Sequence, residues 1–178
     1  MGSEAIPYGT SETRDGEHAL HFLLHLPHPV VYVWAAVATP EGLPQWLAVA
    51  DLLEPRLGGG VTLRWLGAGA EGRRTVVSGQ VTAWERESVA EYTVELHGRV
   101  RFHMEPPPAD SFATVLRFTN QFRGDDDFRL DCLADWHRHF ELLDDALDGR
   151  PADWSAWSPD RWQRLREEYA RRPSPSRP

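Results

Sequence analysis

Residues 125–149 carry the feature that most restricts the fold. Leu130, Leu133, Trp136, Phe140, Leu143 and Leu147 recur at three- and four-residue spacing, so they form one apolar stripe along a single long helix. Asp125, Asp126 and Asp127 suit its cap and first turn, against the positive end of the helix dipole, and Gly149 and Pro151 end it. A stripe of that length needs a broad apolar surface to cover it.

The preceding chain supplies strands. HALHFLLHL (18–26) alternates Leu20, Phe22, Leu24 and Leu26 with polar or small residues, interrupted only at Leu23, and Pro27 and Pro29 end it. Gly58-Gly59-Gly60 between LLEPRL and VTLRWL reads as a hairpin turn. Further strands are predicted within 73–87, 88–96, 98–105 and 111–122, and the alternation of Val100, Phe102 and Met104 with Arg99, Arg101 and His103 leaves one face solvated. These segments read as an antiparallel meander. Between the first strand and the hairpin, VVYVWAAVAT (30–39) predicts a short helix entered at Pro29, and 41–48 a second one with Leu43, Trp46 and Leu47 on one face.

The spacing divides the chain into a flexible N-terminal segment (1–17), a folded domain (18–150), a Trp-rich helical extension (151–172) and a disordered tail (173–178). In the extension, Trp154, Trp157, Trp162, Leu165 and Tyr169 predict an amphipathic helix after Ser158-Pro159, ordered to about Tyr169. That helix either packs back onto the domain or meets a protein partner.

Composition narrows the chemistry. The single cysteine, Cys132, excludes an intrachain disulfide framework and a thiolate metal cluster, and it reads as a core filler. No stretch has the apolar core of a signal peptide or the length of a membrane span, so the expectation is a cytoplasmic protein. A net charge of −8 argues against nucleic acid, because phosphate binding needs clustered cations. All nineteen basic residues are arginine, which excludes Schiff-base chemistry on lysine. There is no phosphate loop, GxSxG or HExxH, and no cofactor is expected. Asp131, Asp135 and His139 share one helix face, which reads as solvated rather than metal-binding; His21, His25 and His28 have no nearby carboxylate or cysteine to complete a site. No metal is expected.

One strand, two short helices, a meander and a long final helix is the order of the helix-grip fold. The residues resemble the SRPBCC (START/Bet v 1-like) superfamily and, within it, the bacterial type of the Activator of Hsp90 ATPase homologue 1-like family. The resemblance rests on Trp34, Thr39-Pro40-Glu41, Trp46-Leu47, the glycine turn 58–60, SGQVTAWERESVAEYTV and DWHRHFELLDDALDG, over about residues 18–150. Trp84-Glu85-Arg86-Glu87 stands where the family has a proline-containing turn, and Asp135 replaces the glycine expected before Trp136. The implied class is α+β, a curved antiparallel sheet wrapped around the long helix, with a groove between them.

The groove is the candidate site. Its sheet wall is expected from Leu63, Trp65, Tyr92, Phe102, Met104, Leu116, Phe118 and Asn120; its helix wall from Trp136, His137 and Phe140; and its plugged end from Trp34 and Trp46. These side chains either enclose a small lipophilic or aromatic molecule or simply fill the space. Asn120, an amide in an apolar wall, needs a partner from a ligand or a neighbouring strand. His137 has Glu141 one turn on as its nearby carboxylate. The resemblance implies a monomeric or dimeric hydrophobic-ligand binder, with a polyketide cyclase or aromatase-like enzyme and an Hsp90-type co-chaperone as alternatives. No residue here is assigned a catalytic role.

Overall fold

A computed structural model describes residues 5–67 and 75–172. Eight strands, β1 (Thr10–Arg14), β2 (Glu17–Leu26), β3 (Ala48–Leu53), β4 (Gly60–Trp65), β5 (Val76–Glu85), β6 (Val89–Val94), β7 (Gly98–Glu105) and β8 (Thr114–Arg123), form one antiparallel sheet. Their order is β1-β2-β8-β7-β6-β5-β4-β3, so the only neighbours distant in sequence are β2 and β8. α1 (Val30–Ala38) follows β2, and α2 (Asp126–Leu147) follows β8 and lies over the sheet. α3 (Asp160–Arg171) packs on α2. The α+β helix-grip architecture expected from the order of elements is the one observed.

Period-2 patterning sets which face is buried. Leu20, Phe22, Leu24 and Leu26 of β2 are nearly inaccessible, as are Val100, Phe102 and Met104 of β7, while the exposed and half-buried positions alternate with them. The register pairs Phe22 with Phe118 and Phe118 with Phe102, so three strands present rings side by side. α2 begins as expected: Asp125 accepts a hydrogen bond from the Phe128 amide, and Asp126 and Asp127 occupy the first turn.

Three expectations are corrected. Residues 1–17 are not a flexible segment throughout, since Thr10–Arg14 forms an edge strand paired with β2. Only Ser11 of that strand is buried, so the pairing rests on backbone hydrogen bonds with polar side-chain contacts from Thr13 to His18 and from Arg129 to Ser11, and leaves no apolar alternation to read. The second helix, expected over 41–48, is reduced to a single 3-10 turn, Leu43–Gln45. Pro44 lies inside it, and Ala48 is already paired with Trp65 in β3. Finally, the Asp131, Asp135 and His139 face is partly covered by the extension: Arg166 binds Asp131 at 2.6 Å and His139 is only 2% exposed, while the two aspartates stay half-exposed. Residues 1–4, the tail 173–178 and the start of the segment 73–87 lie outside the described residues.

The α1 plug is tied down by buried donors. Trp46 Nε1 donates to the Ala36 carbonyl and the Tyr92 hydroxyl to that of Val37, each at 2.8 Å. The extension reaches the same plug, where the Ala152 amide and Trp154 Nε1 donate to the carbonyls of Gln45 and Pro44.

Gly98, the first residue of β7, has φ of +65°, and a Cβ there would lie 2.1 Å from the Gln121 carbonyl oxygen on β8. Both the backbone conformation and the strand packing demand glycine. Gly98→Ala is expected to destabilise the protein by about 1–3 kcal/mol, read as a lower urea midpoint with unchanged slope.

Candidate functional site

Every residue expected to wall the groove is buried, at 8% exposure or less. The aromatic members meet one another. Phe118 lies 4.4 Å from Trp136 and 5.2 Å from Phe102 between ring centres, Trp46 and Trp136 both stack on Phe140, and Tyr92 meets Phe102 edge-on. Leu63, Met104 and Leu116 belong to the same cluster. Trp34 sits at one end, edge-on to the half-buried Trp84.

Asn120 finds its partners within the protein. Its Nδ2 donates to the carbonyls of His97 and Arg99, at 2.7 and 3.0 Å, and its Oδ1 accepts from Trp136 Nε1 at 3.0 Å. The amide thus fixes the β6–β7 hairpin to α2. Clefts of about 440 and 410 Å³ lie elsewhere, at the β1–β2 hairpin and between α2 and the extension.

His137 faces away from the other wall residues of α2, into an aromatic cluster with Tyr8, Phe22 and Tyr169. The Tyr169 hydroxyl accepts from the Gly9 amide at 2.9 Å and lies 2.7 Å from His137 Nδ1. The Tyr169 oxygen therefore bridges the Gly9 amide and the His137 ring, with the direction of the second bond set by the imidazole tautomer. Burial holds His137 down at about 4, against an ordinary value of 6.5. Glu141, its sequence neighbour, binds Arg161 of α3 at 2.7 Å instead.

The other end of the groove holds groups that the sequence pattern did not select. Trp65, at the end of β4, meets His97 edge-on at 4.9 Å and Trp136 at 6.0 Å. His139 lies beneath Trp154 and Trp157 of the extension. Among the described residues three buried side-chain atoms have no hydrogen-bond partner: Trp65 Nε1, Arg138 Nε and His139 Nε2. Two of the three belong to this end. Burial lowers the His97 value, Asp135 opposing and His139 reinforcing the shift. His97 carried no sequence signal, since it occupies a hairpin turn, and His139 could be placed only once the extension was seen to cover it. Among the described residues no three His, Cys, Asp or Glu side chains form a group able to hold a metal ion. Cys132 is buried and its thiol is pushed up by burial.

Two outcomes follow from the Tyr169 and His137 contacts. Tyr169→Phe removes the hydroxyl that serves both Gly9 and His137 and is expected to cost about 1–3 kcal/mol in equilibrium unfolding. Because the folded state holds His137 near 4 rather than 6.5, the unfolded chain takes up a proton first as pH falls. The stability contributed above about 6.5 is therefore lost progressively toward 4. The buried His97 acts in the same direction. Thermal melts should show a falling midpoint across that window, with a smaller fall in His137→Gln.

Solved structures share this architecture. The conserved protein of unknown function EF2215 from Enterococcus faecalis is 14% identical, covering 91% of this chain and 90% of its own, with a TM-score of 0.64. CalU16 from Micromonospora echinospora is 17% identical, covering 94% and 97%, at 0.64. Ms6760 from Mycobacterium smegmatis is 14% identical, covering 81% and 98%, also at 0.64. At such identities the likeness shows the fold. Among curated proteins no match is found. From the loop before α1 to the end of α2, residues 27–148 match the family described as Activator of Hsp90 ATPase homolog 1-like protein, and the chain belongs to that family.

Proposed function

We propose that the protein holds a small lipophilic or aromatic molecule in the cytoplasm, between the sheet and α2. One observation carries this reading: an unbroken series of ring contacts runs the length of the groove. It starts at the half-buried Trp84 and passes through Tyr92, Phe102, Phe118, Trp136 and Trp65 to the half-buried His97. These neighbours meet edge-on or tilted, the arrangements that aromatic rings prefer with one another and with an aromatic guest. Apolar and aromatic walls with a few polar groups are the general make-up of a small-molecule site.

In the packed state described above, entry requires rings to move. The reading therefore includes an opening step, with the guest taking the place of ring–ring contacts at the Trp65 end. Among the described residues no helix is long and apolar enough to cross a membrane, so the guest need not be drawn from a bilayer by a spanning segment.

Native mass spectrometry of freshly purified protein, compared with the denatured mass, is the direct test. The expected result is a retained species of small-molecule mass, and a melting temperature that rises with flat aromatic compounds in a thermal-shift panel. A bare protein that no member of a broad lipophilic panel stabilises would overturn the reading.

A further inference from the structure

Trp65 and His139 each end in a ring nitrogen that is buried without a partner, although the two residues are 8% and 2% exposed. Buried polar atoms are almost always satisfied, so such atoms mark a place where something else binds. The chemistry of each is fixed. His139 Nδ1 lies 2.7 Å from the Asp135 carbonyl oxygen, and a carbonyl only accepts, so Nδ1 carries the proton and Nε2 offers a lone pair. That lone pair faces Gly67, where an added Cβ would lie 3.2 Å from Nε2. Trp65 Nε1 can only donate.

Gly67, against which His139 Nε2 packs, lies two residues after Trp65. His97 lies against Trp65, and its titration responds to both Asp135 and His139. This end of the groove therefore offers one unmet donor and one unmet acceptor in an aromatic wall built from Trp65, Trp136 and Trp157. Charges of both signs lie here, the Asp135 carboxylate acting on His97 and the Arg138 guanidinium 5.8 Å from the Trp157 ring, so charge alone does not select the guest. A hydrocarbon satisfies neither nitrogen, and a ketone or a carboxylate can accept but not donate.

We propose, resting on the binding function above, that this end of the groove recognises the hydroxyl of a neutral phenol or alcohol. The hydroxyl accepts from Trp65 Nε1 and donates to His139 Nε2, and the rest of the guest lies among the rings. A site built to bond a hydroxyl rejects the analogue that lacks it, because its own buried polar atoms are then left unpaired.

The test is isothermal titration of naphthalene, naphthol and naphthoate into the wild-type protein, Trp65→Phe and His139→Phe, each variant first checked by circular dichroism. Naphthol is expected to bind the wild type at least about tenfold more tightly than naphthalene, the worth of roughly one buried hydrogen bond, and more tightly than naphthoate. In either variant the naphthol advantage should shrink to about threefold or less, with naphthalene little changed. Equal wild-type affinities for naphthalene and naphthol, or a preference for naphthoate, would overturn hydroxyl recognition while leaving the groove as a binding site. A naphthol preference that survives both substitutions removes Trp65 and His139 from the role. No binding of any of the three would count against both proposals. If neither variant folds, the wild-type comparison of the three probes decides alone.

Discussion

Burial of the α2 stripe against the sheet is the constraint on which the other features depend. Leu130, Leu133, Trp136, Phe140 and Leu143 are all buried, and Phe140 alone meets rings from β2, β8, the 3-10 turn region and its own helix. Burying a large aromatic side chain contributes roughly 1.5–3 kcal/mol, so a handful of such contacts outweighs any single polar interaction in the domain. The sheet curves around this helix, and the ends of the resulting groove are closed by whatever chain lies next to them. At one end that is α1 and Trp46. At the other it is the hairpin carrying His97 and the extension carrying Trp157.

Polar groups inside this apolar frame serve to fix positions. Asn120 is the clearest example: with three partners it ties β8 to the β6–β7 hairpin and to Trp136 on α2, so it leaves no amide for a guest. His137 is likewise consumed, as the hydrogen-bond partner of a tyrosine that anchors α3 to the N-terminal segment. The nitrogens of Trp65 and His139 differ because the same frame buries them and leaves them unbonded. The two unmet nitrogens thus lie apart from Asn120 and His137, the polar members of the expected groove wall.

The C-terminal extension changes the character of α2. Without it the Asp131, Asp135 and His139 face would be an ordinary solvated helix surface. With it, Arg166 and Arg161 cross to Asp131 and Glu141, while Trp154 and Trp157 roof His139. Burial of this imidazole makes its tautomer definite and its free lone pair costly, which a solvated histidine would not show.

The sequence by itself determined the class of fold, the burial pattern of the strands and the capped long helix. Periods of two and 3.6 residues and an Asp cap are local properties, written within a few residues of where they act. It also named most of the side chains that turn inward between the sheet and α2, because alternation marks the buried face. It could not show that Thr10–Arg14 joins the sheet through backbone pairing and polar contacts, nor that Pro44 and the β3 register cut the second helix to one turn. Most partners of Asn120 and His137, and the roof over His139, were hidden for the same reason: they lie far along the chain, as Trp136 does from Asn120, Tyr8 and Tyr169 from His137, and Trp154 from His139. Only the tertiary structure decides which buried polar atoms are satisfied, since satisfaction depends on distance and direction between groups that the chain brings together last.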